Sequence, residues 1–268
     1  MAGCARNEHE CKRCEGALDF DFTMAFQPIV DVRQGVVHAY EALVRGTAGE
    51  SAFEILSRVD ERTLYRFDQA CRVKAIEIAH ALGLQSALSI NFLPNAVYDP
   101  QACIQATLEA ARRVGWPTDK ISFEITETEL VRDRLHLQNI VSSYRAMGFQ
   151  TALDDFGTGF ANLELLVELT PDWLKIDRRF IDGVDHLPRK QAIVDSIIVL
   201  ARGLGTGMIA EGVETVAEAR WLYQRGIDLQ QGYLYARPAI EQLPVWDPAL
   251  LEMVCAADSW SERAQARM

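Results

Sequence analysis

The stretch Ile193–Glu214, IVDSIIVLARGLGTGMIAEGVE, holds the unit from which the fold is read. Ile193, Ile197, Leu200 and Leu204 recur at steps of four and three, which predicts a helix with one apolar stripe. Gly205 ends that helix, Met208–Ala210 reads as a short buried strand, and Glu211 and Glu214 follow at once. The same order repeats outward along the chain. Phe67, Cys71, Ala75, Ile78 and Leu82 form a second stripe ending at Gly83, and Ala217–Arg225 forms a helix stopped by Gly226. Between such segments lie short runs rich in β-branched residues: Ala25–Val32, Val36–Leu43, Ala87–Ile90, Ile121–Ile125, Gln150–Leu153, Trp173–Ile176, Met208–Ala210 and Leu229–Leu234. Eight strands alternating with helices is the pattern of a (β/α)8 barrel. Only Arg33–Gly35 joins the first two strands, too short for a crossover helix, so that pair is an antiparallel hairpin. The expected fold is α/β, a (β/α)8 TIM-type barrel with one antiparallel strand in the first hairpin.

The length of 268 residues suits such a barrel as one domain, and 49% hydrophobic with 24% charged residues excludes a disordered or collagen-like chain. The expected organisation is a polar, Cys-rich N-terminal tail over 1–20, a barrel over 21–250, and a charged C-terminal tail or surface helix over 251–268. No apolar run reaches about 18 residues and the first fifteen residues are polar, so neither a transmembrane helix nor a secretory signal is expected. The expected location is therefore cytoplasmic, with Cys71, Cys103 and Cys255 as reduced thiols. With 27 Lys and Arg against 38 Asp and Glu, the formal charge of −11 argues against DNA and anionic membranes as partners.

Barrel active sites lie at the C-terminal ends of the strands, so polar residues there are the candidates. Glu41 lies near the end of the second strand, Asn91 follows the third, and Glu124 and Glu127 lie on or after the fourth. Asp154 and Asp155 follow the fifth, Lys175 interrupts the sixth, Glu211 and Glu214 follow the seventh, and Gln231 lies in the eighth. A single acid at a strand end is an ordinary N-cap or surface group, and Asp154–Gly159 read alone is an Asx-type turn. Recurrence on seven strands is a different matter. Converging carboxylates repel unless a cation neutralises them, and an oxygen-only donor set favours Mg2+ or Mn2+ over Zn2+. An Asp-Asp pair beside further carboxylates suits two ions about 3.5 to 4 Å apart, the arrangement that clamps an in-line phosphoryl displacement. The chemistry so predicted is phosphodiester hydrolysis.

With these residues placed, the chain resembles the EAL-domain family of cyclic di-GMP phosphodiesterases over about Phe20–Pro248. The resemblance rests on Phe26-Gln27-Pro28-Ile29-Val30, Glu41-Ala42-Leu43-Val44-Arg45, Asn91, Glu124-Ile125-Thr126-Glu127, and Asp154-Asp155-Phe156-Gly157-Thr158-Gly159. Lys175-Ile176-Asp177, Ala210-Glu211-Gly212-Val213-Glu214-Thr215 and Gln231-Gly232-Tyr233 continue it in the family's order. One departure is Phe160-Ala161-Asn162, where most active members carry an aromatic and two serines. The resemblance implies a first metal at Glu41, Asn91, Glu124 and Asp154, and a second at Asp154, Asp155 and Glu211. It implies Glu211 as the group that orients or deprotonates water and Lys175 as the group that holds that water or the developing charge. Arg45 would take a phosphate edge, and Gln27, Glu214 and Gln231 the guanine and ribose. Glu127 would support the glycine-rich loop and couple it to a homodimer. The implied activity is Mg2+- or Mn2+-dependent opening of cyclic di-GMP to linear pGpG, which lowers a bacterial second messenger. A cyclic di-GMP receptor without turnover, or a protein-interaction module of the same fold, are the alternatives.

Cys4, His9, Cys11 and Cys14 have a spacing that would close a tetrahedral Zn2+ site or serve redox sensing, and equally fit a solvent-exposed reduced tail. The acidic balance also changes meaning. Glu41, Glu124, Glu127, Asp154, Asp155, Glu211 and Glu214 are seven of the 38 acids, so without them −11 becomes −4. The excess is then largely a metal-loading feature, compatible with one small anionic dinucleotide.

Overall fold

A computed structural model describes residues 18–97, 99–126, 133–157 and 162–255. Its strands are β1 (Thr23–Asp31), β2 (Val36–Arg45), β3 (Ala87–Asn91), β4 (Ile121–Thr126), β5 (Gln150–Phe156), β6 (Trp173–Ile176), β7 (Gly207–Ala210), β8 (Leu229–Gln230) and β9 (Ala239–Ile240). The first eight close a barrel in the order β2-β3-β4-β5-β6-β7-β8-β1, with β1 returning to β2. β1 runs antiparallel to both β2 and β8, and every other neighbouring pair in the ring is parallel. The expected barrel and its single reversed strand are both present.

Two details differ from expectation. β8 stops at Gln230 because the chain turns there to bond Val213: Val213 N donates to Gln231 O, and Leu234 N donates to Val213 O. β9, unexpected, is two residues that pair with the other end of β1 at Ala25 and Phe26, too short to leave a periodic signal.

The helices are α1 (Ala52–Leu56), α2 (Leu64–Ala81), α3 (Pro100–Cys103), α4 (Gln105–Val114), α5 (Arg134–Ala146), α6 (Asn162–Leu169), α7 (Arg178–Ile181), α8 (Pro188–Leu204), α9 (Val216–Gln224) and α10 (Ala249–Cys255). The expected stripe on α2 faces the core, with Phe67, Cys71 and Ala75 buried and Ile78 and Leu82 packed on it, whereas that on α8 shifts. On α8 the buried residues are Val194, Ile197, Ile198 and Ala201, while Ile193 and Leu204 are exposed. Adjacent apolar residues at Ile193 and Val194, and again at Ile197, Ile198, Val199 and Leu200, allow more than one three-four stripe, and packing on the sheet selects one. On α2 the buried stripe includes Ile76 and Ala79 and, unexpectedly, the charged pair Asp68 and Arg72. α10 begins two residues before the expected barrel boundary; Val254 is buried and Leu250 and Leu251 pack on the core. Cys71 and Cys103 are buried thiols outside any disulfide, and Cys255 is a half-buried one. Among the described residues no helix is long and apolar enough to cross a membrane.

The barrel interior is layered. Ile29, Ala39, Ile209 and Leu229, with Ala87 and Trp173, fill its N-terminal end as an apolar plug separate from the larger core between sheet and helices. Side chains two positions apart on a strand share a face. Stepping two residues toward the mouth therefore gives Glu41 from Ala39, Ser89 from Ala87, Lys175 from Trp173, Glu211 from Ile209 and Gln231 from Leu229. On the reversed β1 the same step runs backwards, from Ile29 to Gln27. One strand period thus places an apolar floor and a polar layer above it.

Candidate active site

The polar layer is centred on Lys175, whose side chain has no solvent exposure. Its Nζ lies 2.8 Å from Glu124 Oε2, 2.8 Å from Glu211 Oε1, 3.1 Å from Asp154 Oδ1 and 3.7 Å from Glu41 Oε2. Glu124 is also fully buried and accepts from Ser89 Oγ at 2.6 Å, a partner the sequence reading did not single out. Glu41 accepts from Asn91 Nδ2 at 2.9 Å and from Gln231 Nε2 at 2.7 Å. The Asn91 amide nitrogen is thereby committed to Glu41, which leaves its carbonyl oxygen as the atom able to meet a cation. Gln27 Nε2 donates to Ala236 O at 3.0 Å, and its Oε1 accepts from Gln231 Nε2 at 3.3 Å. Gln231 Oε1 is buried and accepts nothing from the described residues, an acceptor suited to a ligand N–H.

Strand alternation alone would aim Asp154 and Asp155 at opposite faces. The β5–β6 register breaks between Leu153 and Phe156, and Asp155 has φ of +53°, a left-handed backbone rare outside glycine. Because of that bulge, carboxylate oxygens of Asp154, Asp155 and Glu211 lie within 4.8 Å of one another. A second group within the same limit is Glu41, Glu124 and Asp154, so Asp154 belongs to both.

The charge balance of this layer favours bound cations. Four carboxylates, Glu41, Glu124, Asp154 and Glu211, surround one ammonium and Asp155 adds a fifth beside Asp154 and Glu211, a formal excess of four negative charges that two divalent cations would match. Without cations protons partly take their place. Burial pushes Glu124 up to about 8 against the pull of Lys175, with Glu41 and Asp154 adding to the rise. Burial, then the neighbouring Asp154, lifts Glu211 well above the ordinary carboxylate range. Burial and Asp154 raise Asp155 to about 6. Lys175 is held charged well above its ordinary value: burial opposes this, but Asp154, Glu124, Glu211 and Glu41 outweigh it. An oxygen-only, strongly anionic donor set fits hard divalent cations.

A cavity of about 250 Å3 opens over this layer, lined in part by Gln27, Glu41, Asp155, Glu211, Glu214 and Gln231. Arg178, which the sequence reading passed over, also lines it and lies 2.8 Å from Glu214. Its position directly after the sixth strand and Asp177 was the available signal. Gly212, at φ of +66°, lets the Arg178 stem cross it, since a methyl there would overlap the Arg178 Cβ and Cγ. Arg45 stands apart. It ends β2 opposite Thr23, and its Nη1 donates to Val44 O at 2.7 Å. Glu127, Phe160, Ala161 and the N-terminal Cys4, His9, Cys11 and Cys14 lie outside the described residues.

Comparison with known proteins follows the same outline. The family model described as EAL domain matches residues 15–238. A standalone EAL protein from Vibrio cholerae O395, solved in a cyclic di-GMP-bound form, is 49% identical with a TM-score of 0.85, covering 87% of this chain and 99% of that one. BlrP1 of Klebsiella pneumoniae, solved with manganese and cyclic di-GMP, is 32% identical with a TM-score of 0.78, over 85% of this chain and 58% of that one. The probable cyclic di-GMP phosphodiesterase PdeN of Escherichia coli is 33% identical over 229 residues, 81% of this chain and 43% of its own length. The chain spans less than two thirds of the curated relatives it matches, 59% in one case and 43% in another.

Proposed function

The chain belongs to the EAL-domain family, and we propose that it hydrolyses one 3′,5′-phosphodiester of cyclic di-GMP to give linear pGpG, using two Mg2+ or Mn2+ ions. The observation that carries this reading is the pair of carboxylate groups sharing Asp154 around a fully buried lysine. Glu41, Asn91, Glu124 and Asp154 would hold one ion, and Asp154, Asp155 and Glu211 the other. When bound, the ions neutralise charge that develops on the phosphoryl oxygens.

The residues do the rest. Glu211 Oε1 is fixed by Lys175, which orients the carboxylate toward the cavity it lines. Held there beside the reacting phosphate, it accepts the proton of the attacking water. Water oxygen bonds to phosphorus, the P–O3′ bond breaks, and O3′ leaves as the hydroxyl of pGpG after taking up a proton. Lys175 keeps its charge throughout and holds four carboxylates in register. Gln231, through its unpaired Oε1, and Gln27 receive the nucleobase and ribose, together with Glu214. Arg178 supplies the cation that an acidic mouth needs toward an anionic substrate.

Incubating the purified chain with cyclic di-GMP and Mg2+ or Mn2+, with an EDTA control, tests this. The expected result is metal-dependent conversion to pGpG on chromatography. Binding without conversion would instead support a receptor, and absence of binding an interaction module. A homodimer is part of the same reading. Leu135 on α5 and Leu163 and Val167 on α6 are exposed apolar residues flanking the Arg134–Glu164 ion pair. Sedimentation of Leu135→Asp/Val167→Asp should return a monomer where the parent is dimeric.

A further inference from the structure

We propose that the buried Asp68–Arg72 pair on α2 is a positioning device for Asn91 and Glu124, set so that loss of its contact to the β3 loop weakens divalent-cation binding. Both side chains are almost completely buried, and Arg72 Nη2 lies 2.8 Å from Asp68 Oδ2. A buried ion pair is a weak source of stability, because desolvation offsets most of the attraction; apolar replacements of similar volume are often as stable. Its contacts instead run toward the site. Asp68 Oδ1 accepts from Leu93 N at 2.9 Å, two residues beyond Asn91. Between them, Phe92 N donates to Glu124 O at 3.1 Å. The backbone that delivers Asn91 is thus tied on one side to β4 and on the other to Asp68.

Arg72 extends the tie. Its Nη1 donates to Tyr144 Oη at 3.2 Å, its Nη2 to Cys103 O at 3.3 Å and its Nε to Asp68 O at 3.4 Å, joining α2 to α3 and α5. The Tyr144 ring packs on Phe92 and Phe123 with centroids 5.9 and 5.1 Å away. Those phenylalanines are the direct chain neighbours of Asn91 and Glu124, two of the four residues assigned to the first ion. Groups that orient ligands from behind typically set metal affinity by about 10- to 100-fold.

The proposal rests on the reading that Glu41, Asn91, Glu124 and Asp154 hold a divalent cation, and calorimetric titration of the full chain with Mn2+ alone separates the two. Asp68→Leu/Arg72→Met removes both charges and the acceptor for Leu93 N; Asp68→Asn/Arg72→Met removes both charges and keeps that acceptor. The expected result is about 10-fold weaker Mn2+ binding for the Leu/Met pair and near-parental binding for the Asn/Met pair, with thermal midpoints in EDTA close to each other. Hydrogen exchange of the segment 92–97 should be faster in the Leu/Met pair alone. Should the Leu/Met pair not fold, Asp68→Ala/Arg72→Met, which removes the same acceptor for Leu93 N with a smaller side chain, is expected to weaken Mn2+ binding by a similar factor. Equal Mn2+ binding by the parent and the folded variants overturns the positioning role and leaves the metal site standing. Absence of Mn2+ binding by the parent overturns the metal site, and this role with it.

Discussion

Lys175 donates to Glu124 at 2.8 Å across the closed barrel, and neither side chain has any solvent exposure. A charge buried that completely is stable only with its partner, and this lysine serves Glu211 and Asp154 as well. Lys175→Met is therefore expected to lower unfolding free energy by about 3 kcal/mol or more in EDTA, since it leaves an uncompensated anionic cluster. At saturating Mn2+ the fold should be retained while turnover falls by at least about 100-fold, because the positioned cation beside Glu211 is gone. Urea titration and product chromatography read the two effects, and wild-type turnover in the variant would remove Lys175 from the mechanism.

The same cluster makes stability depend on pH in an unusual direction. Burial raises the folded-state values of Glu124, to about 8, and of Asp155, to about 6. The native state thus binds more protons than the unfolded chain from the ordinary carboxylate range up to those values, and the cation-free protein loses stability as pH rises through that window. Lys175 adds no slope there, because its value stays above the ordinary lysine range. In EDTA the thermal midpoint should be higher at pH 6 than at pH 8.5. With saturating Mn2+ the fall should flatten, and cation uptake at pH 7 should release protons, seen as a buffer-dependent enthalpy. A midpoint that climbs with pH in EDTA would contradict the assigned burial.

How much of this could be read beforehand divides along a physical line. The barrel and the position of Glu41, Asn91, Glu124, Lys175 and Glu211 were legible because strand period and strand end are local properties. The Asp154–Asp155 bulge was not, since Asp155 adopts φ of +53° only where β6 enforces a broken register. The stripe on α8 keeps Ile197 but shifts around it, because Ile193, Val194, Ile197, Ile198, Val199 and Leu200 offer more than one three-four period and packing on the sheet decides between them. Asp68 and Arg72 were hidden for the opposite reason. Charged residues on a helix read as its solvent face, and only the partners brought by β3, α3 and α5 allow them inside.

Arg178 should act on substrate capture more than on the chemical step. It lines the cavity and pairs with Glu214 at 2.8 Å, and among the described residues its ion pair is with Glu214 and not with the carboxylates around Lys175. Arg178→Ala is expected to raise KM for cyclic di-GMP about 10-fold, the scale of one charge-assisted contact, with kcat changed less than about 3-fold. Steady-state kinetics over a salt series would also register it, because a cation facing an anionic substrate gives a salt-dependent kcat/KM that the variant should lose. A collapse of kcat with KM unchanged would place Arg178 in the reaction itself.

Gly232 gives the sharpest test of how the β7 and β8 loops meet. A methyl there would overlap the backbone nitrogen, carbon and oxygen of Val213, and backbone cannot rotate away as a side chain can. The contact lies between two ladder-like bonds, Val213 N to Gln231 O and Leu234 N to Val213 O, each 3.0 Å. Separating those loops moves Gln231 on one side and Glu214 on the other, both cavity residues. Gly232→Ala should therefore cost about 3 kcal/mol in urea unfolding and reduce turnover beyond what the lost folded fraction explains. Gly203, inside α8 with nothing within 4 Å of its would-be Cβ, is the matched control. Gly203→Ala should add roughly 0.5–1 kcal/mol and leave turnover unchanged, because there the methyl only restricts the unfolded chain and strengthens a helix.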